Sequence, residues 1–183
     1  MGLRKHAYTS GNGRKMAETS WYALFHDSNY HKSLVGRIEG LGVEVFSPER
    51  VTLQPRSYRP SPQRYKVLLF PGYLFLRFDW EKTHPSSITA FNGAYGLVRF
   101  GDNPPMVIPD EVIEDLRESL EARQKELDSK RPVVISQDPV RNAISFLVQE
   151  NSSAARSAGM LDLLRHIDSS NKSKKRSKLV LSF

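Results

Sequence analysis

The chain has 183 residues, 39% of them hydrophobic, with a net charge of +7 and no cysteine. This length allows one hydrophobic core and a small second module. The absence of cysteine excludes disulfides, thiolate metal sites and a cysteine nucleophile, and is typical of a reducing cytoplasm. No apolar run approaches the ~20 residues that cross a bilayer, and the polar start is unlike a secretory signal. A cytoplasmic location is therefore expected.

Charge is unevenly distributed along the chain. Residues 105–130 carry a net charge of −4, whereas residues 169–183 hold five basic and no acidic side chains. A basic body with a basic tail and one acidic helix favours a polyanionic partner, most often nucleic acid. For the tail alone, a purely solubilising role is the alternative.

The amino-terminal segment, residues 1–20, is polar and basic without a hydrophobic period. We expect it to be a disordered extension, and Met16 is an alternative start of the chain. Residues 21–26, Trp-Tyr-Ala-Leu-Phe-His, are aromatic and apolar, as is typical of a strand. The structured part of the chain is therefore predicted to begin at Trp21.

A helix is predicted next, because apolar residues recur at helical spacing between a start and a stop signal. Asp27 or Ser28 can cap its first turn, and Gly42 can adopt the left-handed conformation that ends a helix. Its buried face would consist of Leu34, Ile38 and Leu41. Its exposed side would carry His31, Lys32 and Arg37.

Strands are predicted at residues 43–46 and from residue 51, followed by a proline-rich segment, residues 54–66. Three prolines there disfavour regular pairing, so a long hairpin loop is expected. From Arg50 to Arg77 there are six basic and no acidic residues, and Tyr58 and Tyr65 lie among them. Basic and aromatic side chains together can hold phosphates and stack on bases, although an ordinary solvated hairpin is the alternative. The candidate residues are Arg56, Arg59, Arg64 and Lys66.

Residues 68–78, Leu-Leu-Phe-Pro-Gly-Tyr-Leu-Phe-Leu-Arg-Phe, are the most informative stretch. Pro71 and Gly72 force a turn, because proline fixes φ and glycine accepts positive φ. Beyond the turn, side chains alternate, with Tyr73 and Phe75 on one face and leucines with a phenylalanine on the other. A strand that is apolar on both faces is predicted to be central, covered on one side by the protein's own helices and on the other by a candidate partner.

The rest of the body is predicted from start and stop signals. Pro85 suits the first position of a short helix, residues 92–93 form a turn, and residues 97–100 form the last strand. A longer helix opens at residues 109–111, with acids in its first turn, and frays toward Asp128. Its apolar stripe consists of Val112, Ile113, Leu116 and Leu120.

Residues 129–140 have the composition of a linker, and residues 141–168 fit two structures. Apolar side chains between residues 144 and 148 alternate as in a strand, yet they also share one helix face. Periodicity cannot decide between short runs of this kind, so both structures stay open. The basic run at 172–178 leads into residues 179–183, a candidate closing strand.

No pattern supports an enzyme. The five histidines lack metal-ligand spacing, and neither a glycine-rich phosphate loop nor a nucleophile elbow occurs. His84 with Ser86 and Ser87 is too local to form a triad and is better explained as a helix start. We therefore expect a binding protein without catalytic residues, metal or cofactor.

The order of these elements resembles the NusG-type transcription elongation factors. The motifs are residues 21–22 on the first strand, the helix after it, the basic hairpin, Phe-Pro-Gly-Tyr at 70–73 and Val-Arg-Phe-Gly at 98–101. Residues 75–79, followed by 84–90, resemble more closely the specialised RfaH branch of antitermination factors. The match covers residues 21–120.

The resemblance implies that residues 21–128 form an α/β, or α+β, sandwich domain: an antiparallel sheet flanked by helices. Its apolar face would dock on the two-helix tip of the clamp of bacterial RNA polymerase. By position, the docking residues would be Phe25, Phe70, Tyr73, Phe75, Phe100, Ile113 and Leu116. The alternative for each of them is an ordinary core position.

The resemblance also implies two further contacts. His84, Ser86 and Ser87 would meet the polymerase opposite the clamp, although Pro85 stands where the branch has a hydroxyl residue. The displaced non-template DNA strand would meet Arg37, Phe91 and Asn92, where a phenylalanine replaces threonine and an asparagine replaces a basic residue. Attraction to phosphates would be weaker there, and Phe91 could stack on a base. All candidate nucleic-acid-binding residues are His31, Lys32, Arg37, Arg56, Arg59, Arg64, Lys66, Phe91 and Asn92.

Residues 141–183 resemble the RfaH tail only in part, through Ala-Arg-Ser at 155–157 and the apolar run from Met160. This degenerate module with a basic tail is expected to be either helical, masking the clamp-binding face, or a KOW-like β-barrel. In that branch the arginine matching Arg156 pairs with an acid, and the corresponding position here is Val67. The interdomain lock is therefore expected to be absent. A ribosomal protein is a further candidate partner of this module.

The leading hypothesis is a monomeric elongation and antitermination factor that binds bacterial RNA polymerase and the non-template strand, at operon-specific DNA elements. The alternative is a stand-alone DNA- or RNA-binding transcriptional repressor. Salt separates them, because a free nucleic-acid binder loses about one log unit of affinity per log unit of salt for each phosphate neutralised.

Overall fold

The computed structural model describes residues 19–56, 58–129 and 138–180. The expected disordered extension lies almost wholly outside the described residues, as does most of the linker. None of the described helices is both long enough and apolar enough to span a bilayer. The elements are β1 (Ser20–His26), a 3-10 turn (Ser28–Tyr30), α1 (His31–Glu39), β2 (Glu44–Phe46), β3 (Glu49–Arg56), β4 (Arg59–Leu68), β5 (Tyr73–Phe78), α2 (Pro85–Thr89), β6 (Ala94–Leu97), α3 (Asp110–Ser129), α4 (Pro139–Gln149) and α5 (Ser153–Val180).

The main sheet has four antiparallel strands in the order β2-β5-β1-β6. The predicted central position of β5 is confirmed. The turn before it is also confirmed, because Gly72 has φ of 86° and its carbonyl accepts a 2.9 Å hydrogen bond from the backbone of His26. This bond ties the end of β1 to the start of β5 and brings Phe25 opposite Tyr73 in the register.

The two faces of the sheet support two separate cores, as the alternation of β5 predicts. One face packs Leu74, Leu76 and Phe78 against Leu34 and Ile38 of α1. The other face carries an apolar cluster shared with α3, α4 and α5. Its buried members are Trp21, Ala23, Leu69, Phe70, Phe75, Met106, Ile108, Val112, Ile113, Leu116, Ile144, Leu147, Val148, Met160, Leu164 and Ile167. The second cover of the sheet therefore comes from the chain itself.

The helix signals are confirmed at α2, but the predicted cap of α1 is wrong, because α1 follows Tyr30 without a side-chain cap. Asp27 caps the 3-10 turn by accepting from the backbone N–H of Asn29, and His84 caps α2 with Pro85 at its first position. Leu41 is a correction: it is 39% exposed because α1 ends two residues earlier and turns through Gly42, whose φ is 76°.

The predicted long hairpin loop is wrong. β3 and β4 pair from Glu49↔Leu68 to Arg56↔Arg59 and form a two-stranded ribbon with a bulge near its tip. Prolines are tolerated because each strand has one free edge, where a missing N–H removes no ladder hydrogen bond. The last strand of the body is also earlier than predicted: β6 ends at Leu97, and only Val98 continues the pairing, by donating to the carbonyl of Ala23 at 2.8 Å.

The ambiguous region at 141–168 is a helical hairpin, made of α4 and α5. Asp138 caps α4 by accepting from the backbone N–H groups of Val140 and Arg141 at 2.7 and 3.1 Å. The helical structure covers the second face of the sheet, because it places Ile144, Leu147 and Val148 together in the apolar cluster. The candidate closing strand is wrong at residues 179–180, which belong to α5, while residues 181–183 lie outside the described part of the chain.

Gly159 lies where α5 passes closest to α4. A Cβ atom there would come within 2.5 Å of a terminal methyl of Leu147. We expect Gly159→Val to weaken hairpin docking by about 1–3 kcal/mol, because Leu147 is buried and must leave its packed position. Urea denaturation followed by the helical circular dichroism signal measures this, with Ala158→Val as the exposed control. Equal stability of the two variants would contradict the close approach.

Candidate functional site

The seven candidate docking residues, which we call the apolar surface, lie on one side of the sheet and on α3. Four of them are buried in the cluster shared with α4 and α5: Phe70, Phe75, Ile113 and Leu116. Tyr73 and Phe100 are half-buried against that cluster, while Phe25 is 44% exposed. The structure thus brings the seven together, but the hairpin occupies the surface in this state.

Arg156 holds the hairpin against the sheet from its buried position on α5. Its Nε donates to the carbonyl of Leu69 at 2.7 Å, and one terminal nitrogen lies 3.4 Å from the carbonyl of Leu68. The other terminal nitrogen donates to the carbonyls of Glu150 and Asn151 at 2.9 and 2.8 Å. One guanidinium therefore joins the β4–β5 connection to the turn of the hairpin.

Arg50 makes the reciprocal contact from β3. It is 7% exposed, and it donates to the carbonyl of Val148 at 3.0 Å and to the side chain of Asn151 at 3.5 Å. The Val148 carbonyl belongs to the last turn of α4, where carbonyls lack partners within the helix. We call Arg50 and Arg156 the arginine latch.

The latch corrects the expectation that no interdomain lock exists. Arg156 does not need an acid at the position of Val67, because the carbonyls of Leu68 and Leu69 accept instead. Burial lowers the pKa of both arginines. The charge of Arg123 lowers the pKa of Arg50 further, and the charge of Arg50 lowers that of Arg156, while Glu150 acts in the opposite direction on both. Two buried cations are thus held close together by backbone dipoles.

A polar seam adds to the latch along α3 and α4. Arg141 of α4 lies 2.6 Å from Asp115 and 3.1 Å from Glu118, both on α3. Asp115 is mostly buried, with 14% of its side chain exposed, whereas Arg141 and Glu118 are open to solvent. Asp115 and Glu118 on α3 thus help to position the hairpin.

The second candidate polymerase contact, His84, Ser86 and Ser87, is exposed at the start of α2. His84 Nδ1 lies 2.7 Å from the Ser86 hydroxyl and accepts from the Ser86 backbone N–H at 3.3 Å. In the neutral ring the proton then sits on Nε2, which is left to donate to a partner. Pro85 keeps this cap in place as the first residue of the helix.

The candidate DNA face is partly assembled. The guanidinium of Arg37 on α1 lies 6.0 Å from the ring centroid of Phe91, which is half-buried in the connection between α2 and β6. Asn92, the next residue, and Lys32 on α1 are exposed. A cation beside an aromatic ring can accept a phosphate and a base together. Arg37, Phe91 and Asn92 are therefore compatible with the predicted contact.

His31 occupies a different position from the other candidates. The carbonyl of Asp27 can only accept, so His26 carries its proton on Nδ1, at 2.9 Å from that carbonyl. His26 Nε2 then accepts from His31 Nδ1 at 3.4 Å, and His31 Nε2 lies 3.1 Å from the hydroxyl of Ser47. With both ring nitrogens engaged, His31 links β1, α1 and the β2–β3 connection instead of facing solvent.

The position of His31 in this hydrogen-bond network predicts that the stability of the protein depends on pH. Burial lowers the pKa of His31 below its ordinary value of 6.5, and His26 and Lys32 lower that pKa further against the opposite effect of Glu49. The unfolded chain therefore binds a proton more readily, and stability falls as the pH drops through about 6.5. We expect His31→Gln to flatten the dependence of the unfolding free energy on pH between about 5 and 7.

Urea denaturation at several pH values tests this expectation. His166→Gln, an exposed histidine on α5, is the control and should leave the dependence as in the wild type. If the pH dependence of the unfolding free energy were unchanged in His31→Gln, the protonation of His31 would not be linked to folding.

The ribbon carries the remaining nucleic-acid candidates. Arg64 is engaged with the end of α3, through an ion pair to Asp128 and a 3.0 Å hydrogen bond to the carbonyl of Leu127. Lys66 is exposed, whereas the structure describes only the backbone of Arg56 and Arg59. Tyr58 at the tip is 98% exposed. Of the four candidates, Arg64 would have to exchange Asp128 for a phosphate.

Some residues that matter were missed. Arg50 was recognised only as one of six basic residues, and Ser47 was not singled out, because nothing local distinguishes a buried polar side chain from an exposed one. Among the residues that the structure describes, no group of three or more histidine or acidic side chains could hold a metal ion.

The fold and these surfaces define a binding domain in which an antiparallel sheet presents an apolar face to helices. The family model described as "Transcription termination factor nusG" matches residues 19–117, more than half of the chain. The chain belongs to the NusG family of transcription elongation and termination factors. Members of this family bind RNA polymerase and are transcription factors, not enzymes.

Proposed function

We propose that this protein is an antitermination factor of the RfaH type, which binds bacterial RNA polymerase through the apolar surface and suppresses pausing and termination. The observation that carries the proposal is that a two-helix hairpin covers this surface. A face that packs well against two helices is suited to the two-helix tip of the polymerase clamp. The hairpin and the clamp would then compete for the same residues.

Competition makes the closed state inactive. The partner must displace the hairpin, so the free protein binds polymerase weakly until the latch opens. The recruited protein then bridges the main channel, with His84, Ser86 and Ser87 meeting the side opposite the clamp. The factor would act on the elongation complex, as a monomer in the cytoplasm.

Recruitment would depend on the displaced DNA strand. Arg37 and Phe91 offer a cation and an aromatic ring to one nucleotide, and Asn92 can hydrogen-bond a base edge. Lys66 and the basic tip of the ribbon would add attraction to phosphates. A ribosomal protein is the proposed partner of the C-terminal module after its release.

An in vitro transcription assay with purified bacterial RNA polymerase tests the function. We expect the wild type to reduce pausing and termination on its own operon leader, and Tyr73→Ala to lose this effect. Phe146→Ala is the matched control, because Phe146 is 67% exposed on the hairpin. If a variant with an opened latch also leaves pausing unchanged on every template, the proposal fails.

The same protein tests the stand-alone repressor, which the exposed ribbon tip favours. Such a repressor would bind duplex DNA or RNA without polymerase, with a steep salt dependence. A polymerase-dependent factor would bind the duplex weakly and need the elongation complex. Tight, salt-sensitive binding to naked nucleic acid together with no effect on transcription would favour the repressor.

A further inference from the structure

The hairpin leaves one part of the apolar side of the sheet uncovered. A cleft of about 570 Å³ opens between α5 and the β6 side of the sheet. The lining residues used below are Phe25, Tyr73, Tyr95, Arg99, Leu161 and Arg165. Because Leu161 and Arg165 belong to α5, the cleft exists only while the hairpin is in place.

Three aromatic rings form one wall of the cleft. The ring centroids of Phe25 and Tyr73 are 5.3 Å apart, and those of Phe25 and Tyr95 are 4.9 Å apart. Phe25 is 44% exposed and Tyr95 is 61% exposed, so the aromatic wall is an apolar patch that is open to solvent. Such rings are typical of the anchoring positions of a protein interface.

The cleft is continuous with the covered part of the apolar surface. Tyr73 and Phe100 line the cleft and also pack against the buried cluster. The guanidinium of Arg165 lies 5.3 Å from the ring centroid of Phe100, so α5 forms the boundary between the open and covered parts. A ligand that fills the cleft therefore touches the hairpin and the sheet at the same time.

The charge of the cleft selects the ligand. Within the described part of the chain, Arg99 and Arg165 are the only charged residues that line the cleft, and both are exposed. Arg165 has one acidic neighbour, Asp162, at 2.9 Å on the same helix. An acidic ligand could replace Asp162 at the Arg165 guanidinium, while its apolar side chains meet the aromatic wall.

The covered part of the surface defines the shape of the ligand. It packs against two antiparallel helices, so a partner that continues from the cleft onto this surface should also be helical. A helix with apolar and acidic side chains meets both requirements. The cleft alone is too small for it, and full binding needs the space that α5 occupies.

We propose that this cleft is the entry site for an acidic, helical protein partner, which binds there before the hairpin leaves. Seating the helix end on Phe25 and Tyr95 and taking over Arg165 would loosen α5 from Phe100. The remaining apolar surface would then become available step by step. Association by this route would be faster than association that waits for the hairpin to undock spontaneously. The inference rests on the proposed function, because the partner is the polymerase element that binds the apolar surface.

Association kinetics with immobilised RNA polymerase test the entry site in the full-length chain. Tyr95→Ser and Arg99→Gln are each measured in the wild-type background and together with Arg156→Met, which opens the latch. In the closed protein we expect each to slow association about tenfold, as for loss of one anchoring contact. In the open protein the effect should fall below about twofold, because entry no longer depends on the cleft. Phe146→Ser is the control in both backgrounds.

The outcomes separate the two proposals. Equal slowing in both backgrounds would make Tyr95 and Arg99 ordinary interface residues, and no slowing in either would remove the cleft from binding; both results overturn the entry site. If the open protein does not bind polymerase at all, the proposed function fails instead. A single-stranded oligonucleotide that binds the closed protein and is lost in Tyr95→Ser would show that nucleic acid is the occupant, which also overturns the entry site.

Discussion

Replacing Arg156 with methionine is expected to detach α4 and α5 from the sheet while the sheet stays folded. The guanidinium satisfies carbonyls of Leu68, Leu69, Glu150 and Asn151, and methionine fills similar space without donating a hydrogen bond. The hydrogen bond to Leu69 is buried and the other three are partly buried. A buried carbonyl left without a partner costs about 1–3 kcal/mol, which is comparable to the docking energy of a small hairpin. The same change frees the apolar surface and should strengthen binding to polymerase.

Hydrogen exchange resolved by segment measures the detachment. In Arg156→Met the amides of α4 and α5 should exchange faster, while those of β1 and β5 keep their protection. Arg156→Lys should also detach the hairpin, because one ammonium keeps the charge but cannot reach carbonyls in three directions. His166→Gln on the exposed side of α5 is the control. Unchanged exchange in α4 and α5 would show that apolar packing alone holds the hairpin.

Replacing Phe75 with alanine is expected to cause a large loss of stability in the sheet. Phe75 is 2% exposed and its ring lies 6.1 Å from the rings of both Phe46 and Phe70. Truncating a buried phenylalanine costs about 3–5 kcal/mol, through lost burial and the cavity that remains. Because Phe75 is on the central strand, the loss should be felt by the whole sheet.

The comparison with Leu164→Ala shows whether the hairpin is a separate unit. Leu164 is 1% exposed in the same cluster but belongs to α5, so its truncation should cost about 2–5 kcal/mol in the hairpin only. Exchange of the β1 and β5 amides should rise in Phe75→Ala and stay near wild type in Leu164→Ala. Phe146→Ala, at an exposed position, should change neither. If Leu164→Ala exposes β1 and β5 as much as Phe75→Ala does, the hairpin is an integral part of the core and cannot serve as a removable cover.

The two variants also bear on what the apolar surface is. Phe75 was predicted both as a docking residue and, alternatively, as core, and in the closed state it is core. A residue can be both when its cover is a hairpin whose docking energy is small compared with that of the sheet. Binding measured with Phe75→Ala would mix the two roles, which is why Tyr73→Ala, at a half-buried position, is the better probe of function.

Local signals were sufficient for the elements whose structure depends on neighbouring residues. The turn at Gly72, the cap at His84 with Pro85, and the alternation along β5 follow from φ preferences, capping and the period of a strand. Tyr73 lies beside Phe25 through the pairing of β1 with β5, two strands that are distant in sequence and that no local signal joins. That the candidate docking residues on β1, β5 and α3 share one face was implied by the family resemblance and not by these local signals.

The sequence by itself determined a NusG-type sheet with one helix-covered face and one further apolar face, because those features are encoded within a few residues of one another. Only the tertiary structure decided what covers the second face. Residues 144–148 fit strand and helix equally well, and the choice depends on packing against Phe75 and Ile113, far away in the sequence. The same holds for Arg50 and Arg156, whose partners are backbone carbonyls, since a carbonyl is present at every residue and no side-chain pattern shows which of them an arginine will reach.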